Sequence, residues 1–236
     1  MRLFAGIELD HPHGAIRGVV LEDELAAPLE LILPEELEAT RAMGPRRRTS
    51  FVAGRVALRR ALDAVGAPVL PILPDERGQP ITPEGYAGSI SHKIRDVVAI
   101  ARRGSFGVGI DVEHRLPNRS RIADKVLTPR ELSMLGGLSE NDRWLGVVVR
   151  FSIKESLYKA VHPFVRRYVE FLDAEVELDR FPLLEPHEPG VFSEARVTLS
   201  APEGPFVIEA TWHLGELIVS TARVQPGPAQ SEWVNG

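Results

Sequence analysis

Two short stretches carry side chains whose type and spacing suit charge-handling chemistry. Glu155 and Lys159 stand four residues apart in Phe151-Ser152-Ile153-Lys154-Glu155-Ser156-Leu157-Tyr158-Lys159-Ala160. Upstream, Asp111 and Glu113 alternate with apolar residues in Gly107-Val108-Gly109-Ile110-Asp111-Val112-Glu113. Carboxylates two apart on a strand share a face, with their Cα atoms ~7 Å apart. Like charges so close are unfavourable unless solvent or a cation separates them. Hard oxygen ligands suit Mg2+, which takes carboxylates together with phosphate oxygens and water. Taken alone, Glu155 and Lys159 are an ordinary exposed helix pair.

The elements that must position these groups follow from periodicity. Ile153, Leu157, Ala160 and Val161 form one apolar stripe of a helix. The helix is predicted from about Asn141 to Val161, capped by Ser139 and ended by Pro163. Glu155 and Lys159 share a face away from that stripe. Val108, Ile110 and Val112 alternate with Gly109, Asp111 and Glu113, the period of a half-buried strand.

Together these residues resemble the 4'-phosphopantetheinyl transferases of the Sfp/EntD type. The matching elements are Gly109-Ile110-Asp111-Val112-Glu113, the Phe151 to Lys159 segment, and Gly88-Ser89-Ile90-Ser91-His92 upstream. They occur in the family's order and spacing, over roughly residues 46 to 165. Phe151 departs from the Trp that many members carry. The resemblance implies an α+β fold of two similar α+β halves in pseudo-twofold arrangement, with the ligand between them. No internal sequence repeat supports that symmetry independently. The halves are expected at residues 1–104, holding the nucleotide end of coenzyme A, and 105–224, holding the metal and catalytic residues. Residues 225–236 are rich in Pro and Gly and are expected to be a disordered tail.

Composition sets the outer bounds. The chain has 236 residues, 44% hydrophobic and 26% charged, an ordinary balance for a globular protein. No apolar run approaches the ~20 residues of a membrane span. An acid arrives at Glu8, too early for a secretory signal. With no cysteine there is no disulfide, thiolate nucleophile or Cys-ligated zinc, which fits a cytoplasmic location. The net charge of −5 argues against a general nucleic-acid binder, so any anion site is local.

Several cations offer that local site. A short acidic helix is predicted over Pro34 to Met43, and a second over Thr49 to Val65, opened by Arg46-Arg47-Arg48. Arg48, Arg55 and Arg59 form a stripe beside its core face. By itself that stripe is a solvated basic face. Guanidinium forks also match phosphate oxygens. The resemblance assigns Arg48 and Arg55 to coenzyme A, Arg59 less so. Arg77 lies in a proline-rich loop where the family has a basic residue before a turn. Ser91 and His92 take the family's role at the nucleotide end, and Ser89 is read as structural. His11 and His13 lie in a turn and are expected to be solvated, and His187 and His213 to lie on the surface. The C-terminal part is predicted β-rich, with strands over 169–178, 195–200, 206–213 and 217–224.

What the resemblance implies is a Mg2+-dependent transfer of the 4'-phosphopantetheinyl group from coenzyme A to a serine of an apo carrier protein, releasing 3',5'-ADP. Asp111, Glu113 and Glu155 would hold the metal. Glu155 would accept the serine proton, directly or through water. Lys159 would contact the pyrophosphate, and Asp111 would also touch coenzyme A. The family's EntD-like branch points to peptidyl, aryl or acyl carriers of siderophore, nonribosomal peptide or polyketide synthesis. Members of this length are usually monomeric. Two other classes remain open: a Mg2+-dependent phosphohydrolase acting on coenzyme A-like nucleotides, and a non-catalytic module that binds coenzyme A or carrier proteins.

Overall fold

The computed structural model describes residues 3–118, 120–179, 181 and 185–228. The chain opens with a hairpin, β1 (Leu3–His11) and β2 (Gly14–Leu21). The helices α1 (Pro34–Ala39) and α2 (Pro45–Ala64) follow, then β3 (Tyr86–Lys93) and β4 (Asp96–Arg103). These strands form one antiparallel sheet in the order β1-β2-β4-β3. After a turn at 104–106 come β5 (Gly107–His114), the short helices α3 (Ala123–Val126) and α4 (Pro129–Ser133), and the long α5 (Glu140–Val165). The chain continues through β6 (Ala174–Leu178), β7 (Ser193–Leu199), β8 (Phe206–Leu214) and β9 (Leu217–Pro226). The second sheet, also antiparallel, runs β5-β9-β8-β7-β6. Each half is thus a sheet with one long helix packed on it, an α+β architecture.

Strand alternation stacks these parts into four layers. On β4, Val97, Ala99 and Ala101 meet Ala53, Ala57, Leu58 and Ala61 of α2. The residues between them, Val98 and Ile100, face the other way and pack with Ile16 against Val108, Ile110, Val112 and Val219 of the second sheet. The outer face of that sheet, with Ala222 and Val224, meets Leu157, Ala160 and Val161 of α5. β5 is therefore buried on both faces, where its sequence alternation suggests a half-buried strand. One face meets the first sheet and the other meets α5, so even Asp111 and Glu113 are enclosed.

Other differences are local. Pro163 does not end α5, because it lies in the last turn and removes only the bond to the Lys159 carbonyl. The helix closes at Arg166, in the left-handed region at φ 52°, whose N–H donates to the His162 carbonyl at 3.0 Å. Pro45 starts α2 at its first position, so Arg46 to Arg48 form the first helical turn rather than preceding it. The Thr40 hydroxyl donates to the Leu37 carbonyl at 2.8 Å and closes α1 earlier than its composition suggests. Residues 225 and 226 belong to β9, and 229–236 lie outside the described residues. Among the described residues no helix is long and apolar enough to cross a membrane.

The turn histidines are not solvated. His13 is 3% exposed, and its Nδ1 lies 2.8 Å from the Thr221 hydroxyl of β9. His11 Nε2 lies 3.2 Å from the Thr211 hydroxyl of β8, and the two rings meet edge to face at 4.8 Å. The tip of the first hairpin is thus docked on the second sheet, and burial pushes both imidazoles down to about 4. His187 and His213 also have partners: His187 packs on Trp212 at 4.6 Å, and His213 Nδ1 bonds the Val191 carbonyl at 2.8 Å.

Candidate active site

The meeting of β5 and α5 explains why glycines precede the two acids. Gly107, Gly109, Asp111 and Glu113 all face α5, two residues apart. A Cβ on Gly107 would collide with the Ala160 carbonyl, and one on Gly109 with the Ser156 carbonyl. The two glycines let the helix backbone rest on the strand backbone. Where the glycines stop, Asp111 and Glu113 begin, facing the helix turn that carries Glu155 and Lys159.

At that point Lys159 Nζ donates to Asp111 Oδ1 and to the Ile110 carbonyl, both at 2.9 Å. The Ser91 hydroxyl of β3 donates to the same Oδ1 at 2.8 Å, and accepts the Val112 N–H at 3.3 Å. Ser89 likewise accepts the Ile110 N–H at 3.3 Å. Two serine hydroxyls thereby bind β3 to β5 across the seam between the sheets. Asp111 Oδ2 is buried and has no hydrogen-bond partner among the described residues. Glu113 is held by Lys93 of β3, at 2.6 Å. Glu155 is partly buried and accepts no hydrogen bond among the described residues. Burial raises its pKa, and the charges of Asp111 and Glu113 raise it further against the opposing pull of Lys159 and Lys93.

Among the described residues no three His, Asp or Glu side chains close around a common point. The donor set nevertheless fits a divalent cation. Three carboxylates face two lysines, and among the described residues neither the buried Asp111 Oδ2 nor the Glu155 carboxylate has a hydrogen-bond partner.

The remaining sequence-predicted residues divide. Ser91 and His92 are neighbours on β3, so they point to opposite faces. Ser91 is 7% exposed, and its hydroxyl is engaged by Asp111 and the Val112 N–H of β5. His92 faces the first turn of α2 and lines, with Arg46, Arg47 and Ser50, an open cavity of about 210 Å3. Desolvation, then the charges of Arg47 and Lys159, push its pKa down. Arg55 is tied into the protein on one side, while its Nη2 is buried with no hydrogen-bond partner among the described residues. It is 5% exposed, its Nε donates to the Ile72 carbonyl at 2.9 Å, and its guanidinium stacks on Phe51 at 3.9 Å. Burial lowers its pKa to about 10. With Arg59, which pairs with the buried Glu36 at 2.5 Å, it fastens the proline-rich loop and α1 to α2. Arg48 is half-buried, donates to the Met43 carbonyl at 3.1 Å, and has a buried Nε with no hydrogen-bond partner among the described residues. Arg77 is exposed on a turn ordered by Asp75. Among the described residues neither makes a hydrogen bond or ion pair with Asp111, Glu113 or Glu155.

Lys93 and Arg47 are the functional candidates that motif reading missed. Period two on β3 puts Lys93 on the face of Ser91, and helical spacing puts Arg47 beside Ser50, so both signals were present in the sequence. Lys154, next to Glu155, points into the protein instead. Its Nζ bonds Glu131 at 2.6 Å and the Val126 carbonyl at 2.8 Å. Glu131 in turn caps α4 through the Thr128 N–H and accepts the Val176 N–H. A second cavity, of about 270 Å3, lies between the halves and is lined by Gln79, Tyr86, Phe106, Lys159 and His162.

Comparison with known proteins gives two adjacent family matches. A model described as the 4'-phosphopantetheinyl transferase N-terminal domain matches residues 35–102. One described as the 4'-phosphopantetheinyl transferase superfamily matches residues 107–208. The chain is 31% identical over 233 residues to the 4'-phosphopantetheinyl transferase Svp of Streptomyces mobaraensis, covering 92% of this chain and 88% of that one. It is 34% identical over 152 residues to the 4'-phosphopantetheinyl transferase PptT of Mycobacterium tuberculosis, covering 62% and 65%. It is 34% identical over 120 residues to enterobactin synthase component D of Salmonella typhi, covering 51% and 50%. A holo-(acyl-carrier-protein) synthase from Bacillus anthracis, solved in complex with CoA (3',5'-ADP), overlaps 51% of this chain and 96% of that one, with 22% identity and a TM-score of 0.40.

Proposed function

The chain belongs to the 4'-phosphopantetheinyl transferase superfamily, and from that premise we propose that the carboxylate and lysine cluster at the β5–α5 crossing moves the 4'-phosphopantetheinyl group of coenzyme A onto a serine hydroxyl of an apo carrier protein. The product is the holo carrier, and 3',5'-ADP leaves. The observation that carries the reading is the convergence of Asp111 and Glu113 from one strand with Glu155 and Lys159 from one helix, at a contact that Gly107 and Gly109 make possible.

Each side chain has a separate task. Glu155 takes the proton of the incoming serine, directly or through a water. Its raised pKa brings a carboxylate nearer the working range of a general base. Lys159, anchored by the Ile110 carbonyl, keeps an ammonium beside Asp111 where pyrophosphate charge builds on the leaving oxygen. Ser91 fixes Asp111 through its hydroxyl. His92 and Arg47, which share the cavity at the start of α2, receive the nucleotide end, with Arg48 and Arg77 as further cations within the same half. Asp111, Glu113 and Glu155 are the residues that would hold Mg2+, which when bound neutralises phosphate oxygens of the pyrophosphate. The first half thus serves the nucleotide and the second the reaction.

The partner is an apo peptidyl, aryl or acyl carrier, met by a monomer in the cytoplasm. Similarity to enterobactin synthase component D supports a siderophore-assembly carrier, and nonribosomal peptide or polyketide carriers follow from the family resemblance of the motifs. The test is intact mass spectrometry of apo carrier domains after incubation with the protein, coenzyme A and Mg2+, with and without EDTA. A mass gain of one phosphopantetheinyl group, lost with EDTA, is expected. Consumption of coenzyme A with every carrier unmodified would replace the transferase by a phosphohydrolase.

A further inference from the structure

We propose that Lys93 is a positioning residue that holds Glu113 away from the divalent cation until the pyrophosphate of coenzyme A draws the ammonium off. The proposal rests on the reading of Asp111, Glu113 and Glu155 as the cation's ligands. Its basis is the unequal state of the three carboxylates. Asp111 is anchored through Oδ1 by Lys159 and Ser91 and keeps Oδ2 buried and open. Glu155 carries no hydrogen bond among the described residues. Glu113 alone is closed, with Lys93 Nζ 2.6 Å from its oxygens.

The ion pair sits where exchange is feasible. The Lys93 side chain is 23% exposed and that of Glu113 12% exposed, at the open end of the seam between β3 and β5. Lys159, by contrast, is tied to a backbone carbonyl as well as to Asp111 and cannot leave without opening two bonds. Lys93 has one hydrogen-bond partner among the described residues, and a pyrophosphate offers that ammonium more negative charge than one carboxylate does. When Lys93 turns to the pyrophosphate, Glu113 is freed, and the site gains a carboxylate in the same step that it gains the substrate's phosphate oxygens. Cation and coenzyme A then bind with positive coupling, each raising the affinity of the other by the same factor.

The test is a titration of the protein with Mn2+, followed by electron paramagnetic resonance of the free ion, with and without coenzyme A. The wild-type chain should bind Mn2+ weakly alone and about tenfold more tightly with coenzyme A present. Lys93→Met should bind Mn2+ about tenfold more tightly than wild type in the absence of coenzyme A, and the coupling should shrink. Lys93→Arg, which keeps the charge, should behave as wild type. A Lys93→Met protein that melts normally but binds Mn2+ no more tightly than wild type would overturn the proposal. If no variant binds Mn2+ and carriers are still modified in EDTA, the ligand reading itself falls, and the role of Lys93 with it.

Discussion

Glu155 is the residue at which stability and chemistry pull in opposite directions. Burial and two neighbouring carboxylates raise its pKa above the ordinary 4.5. The folded state therefore holds its proton more tightly than the unfolded chain does. Stability from this group is greatest below 4.5 and is lost as pH rises through the raised folded value. Glu155→Gln keeps the shape and removes the charge. In metal-free buffer the Gln protein is expected to melt at a higher temperature than wild type at pH 7.5, with the difference closing near pH 4, while carrier modification falls by at least about a hundredfold. Paired thermal melts and the mass assay check both halves of that expectation. An unchanged melting temperature at pH 7.5 would mean that the carboxylate is better solvated than its surroundings imply. Its neighbour Lys154 shows how much a single position hides from sequence. Both residues are charged and adjacent, yet one bonds a buried Glu131 and the other faces Asp111, Glu113 and Lys159. The apolar stripe indicates which face is core, but the acid that draws Lys154 inward comes from a separate helix.

At the scale of elements, the crossing of β5 over α5 sets the site. Gly109→Ala should push the two backbones apart, costing ~1–3 kcal/mol as overpacking does. The expected result is a melting temperature lower by several degrees and transfer lost with it. A folded, fully active Gly109→Ala protein, seen by thermal melt and mass assay, would mean that the helix does not need so close an approach. Much of this element was legible beforehand. Alternation put Asp111 and Glu113 on one face, and the i, i+4 spacing put Glu155 and Lys159 on another. That the strand is buried on both sides was not legible, because period two looks the same whether the polar face meets water or a helix. Ser91 and His92 part from each other for a related reason. A contiguous motif reads as one ligand patch, whereas a strand sends its neighbours to opposite faces. The arginine stripe of α2 is real, but sequence does not reveal that the loop at Ile72 takes the Nε of Arg55 and that Glu36 pairs with Arg59.

In the whole molecule, the halves are held together away from the site by the docked hairpin tip. His11 and His13 have folded pKa values of about 4 against 6.5 when unfolded. The unfolded chain then binds more protons between those values, so stability falls as pH drops from 6.5 toward 4. Other charges bear on His13: Glu209 raises its pKa, while Arg223 and Arg102 lower it. His13→Asn is expected to flatten this pH dependence of the melting temperature, measured by calorimetry from pH 7.5 to 4.5. A dependence equally steep in the variant would assign it to other groups. Sequence reading assigned this pair to solvent, since nothing in a Pro-His turn reveals that residues some two hundred positions later form its dock. The bare contact between Gly107, Gly109 and α5 has a consequence for how such a protein can diversify. With no side chain between strand and helix there is nothing there to trim or enlarge, so the gauge between acids and lysine is fixed by backbone thickness. Variation in which carriers are accepted must then be written on the rim, while the centre is inherited whole or lost.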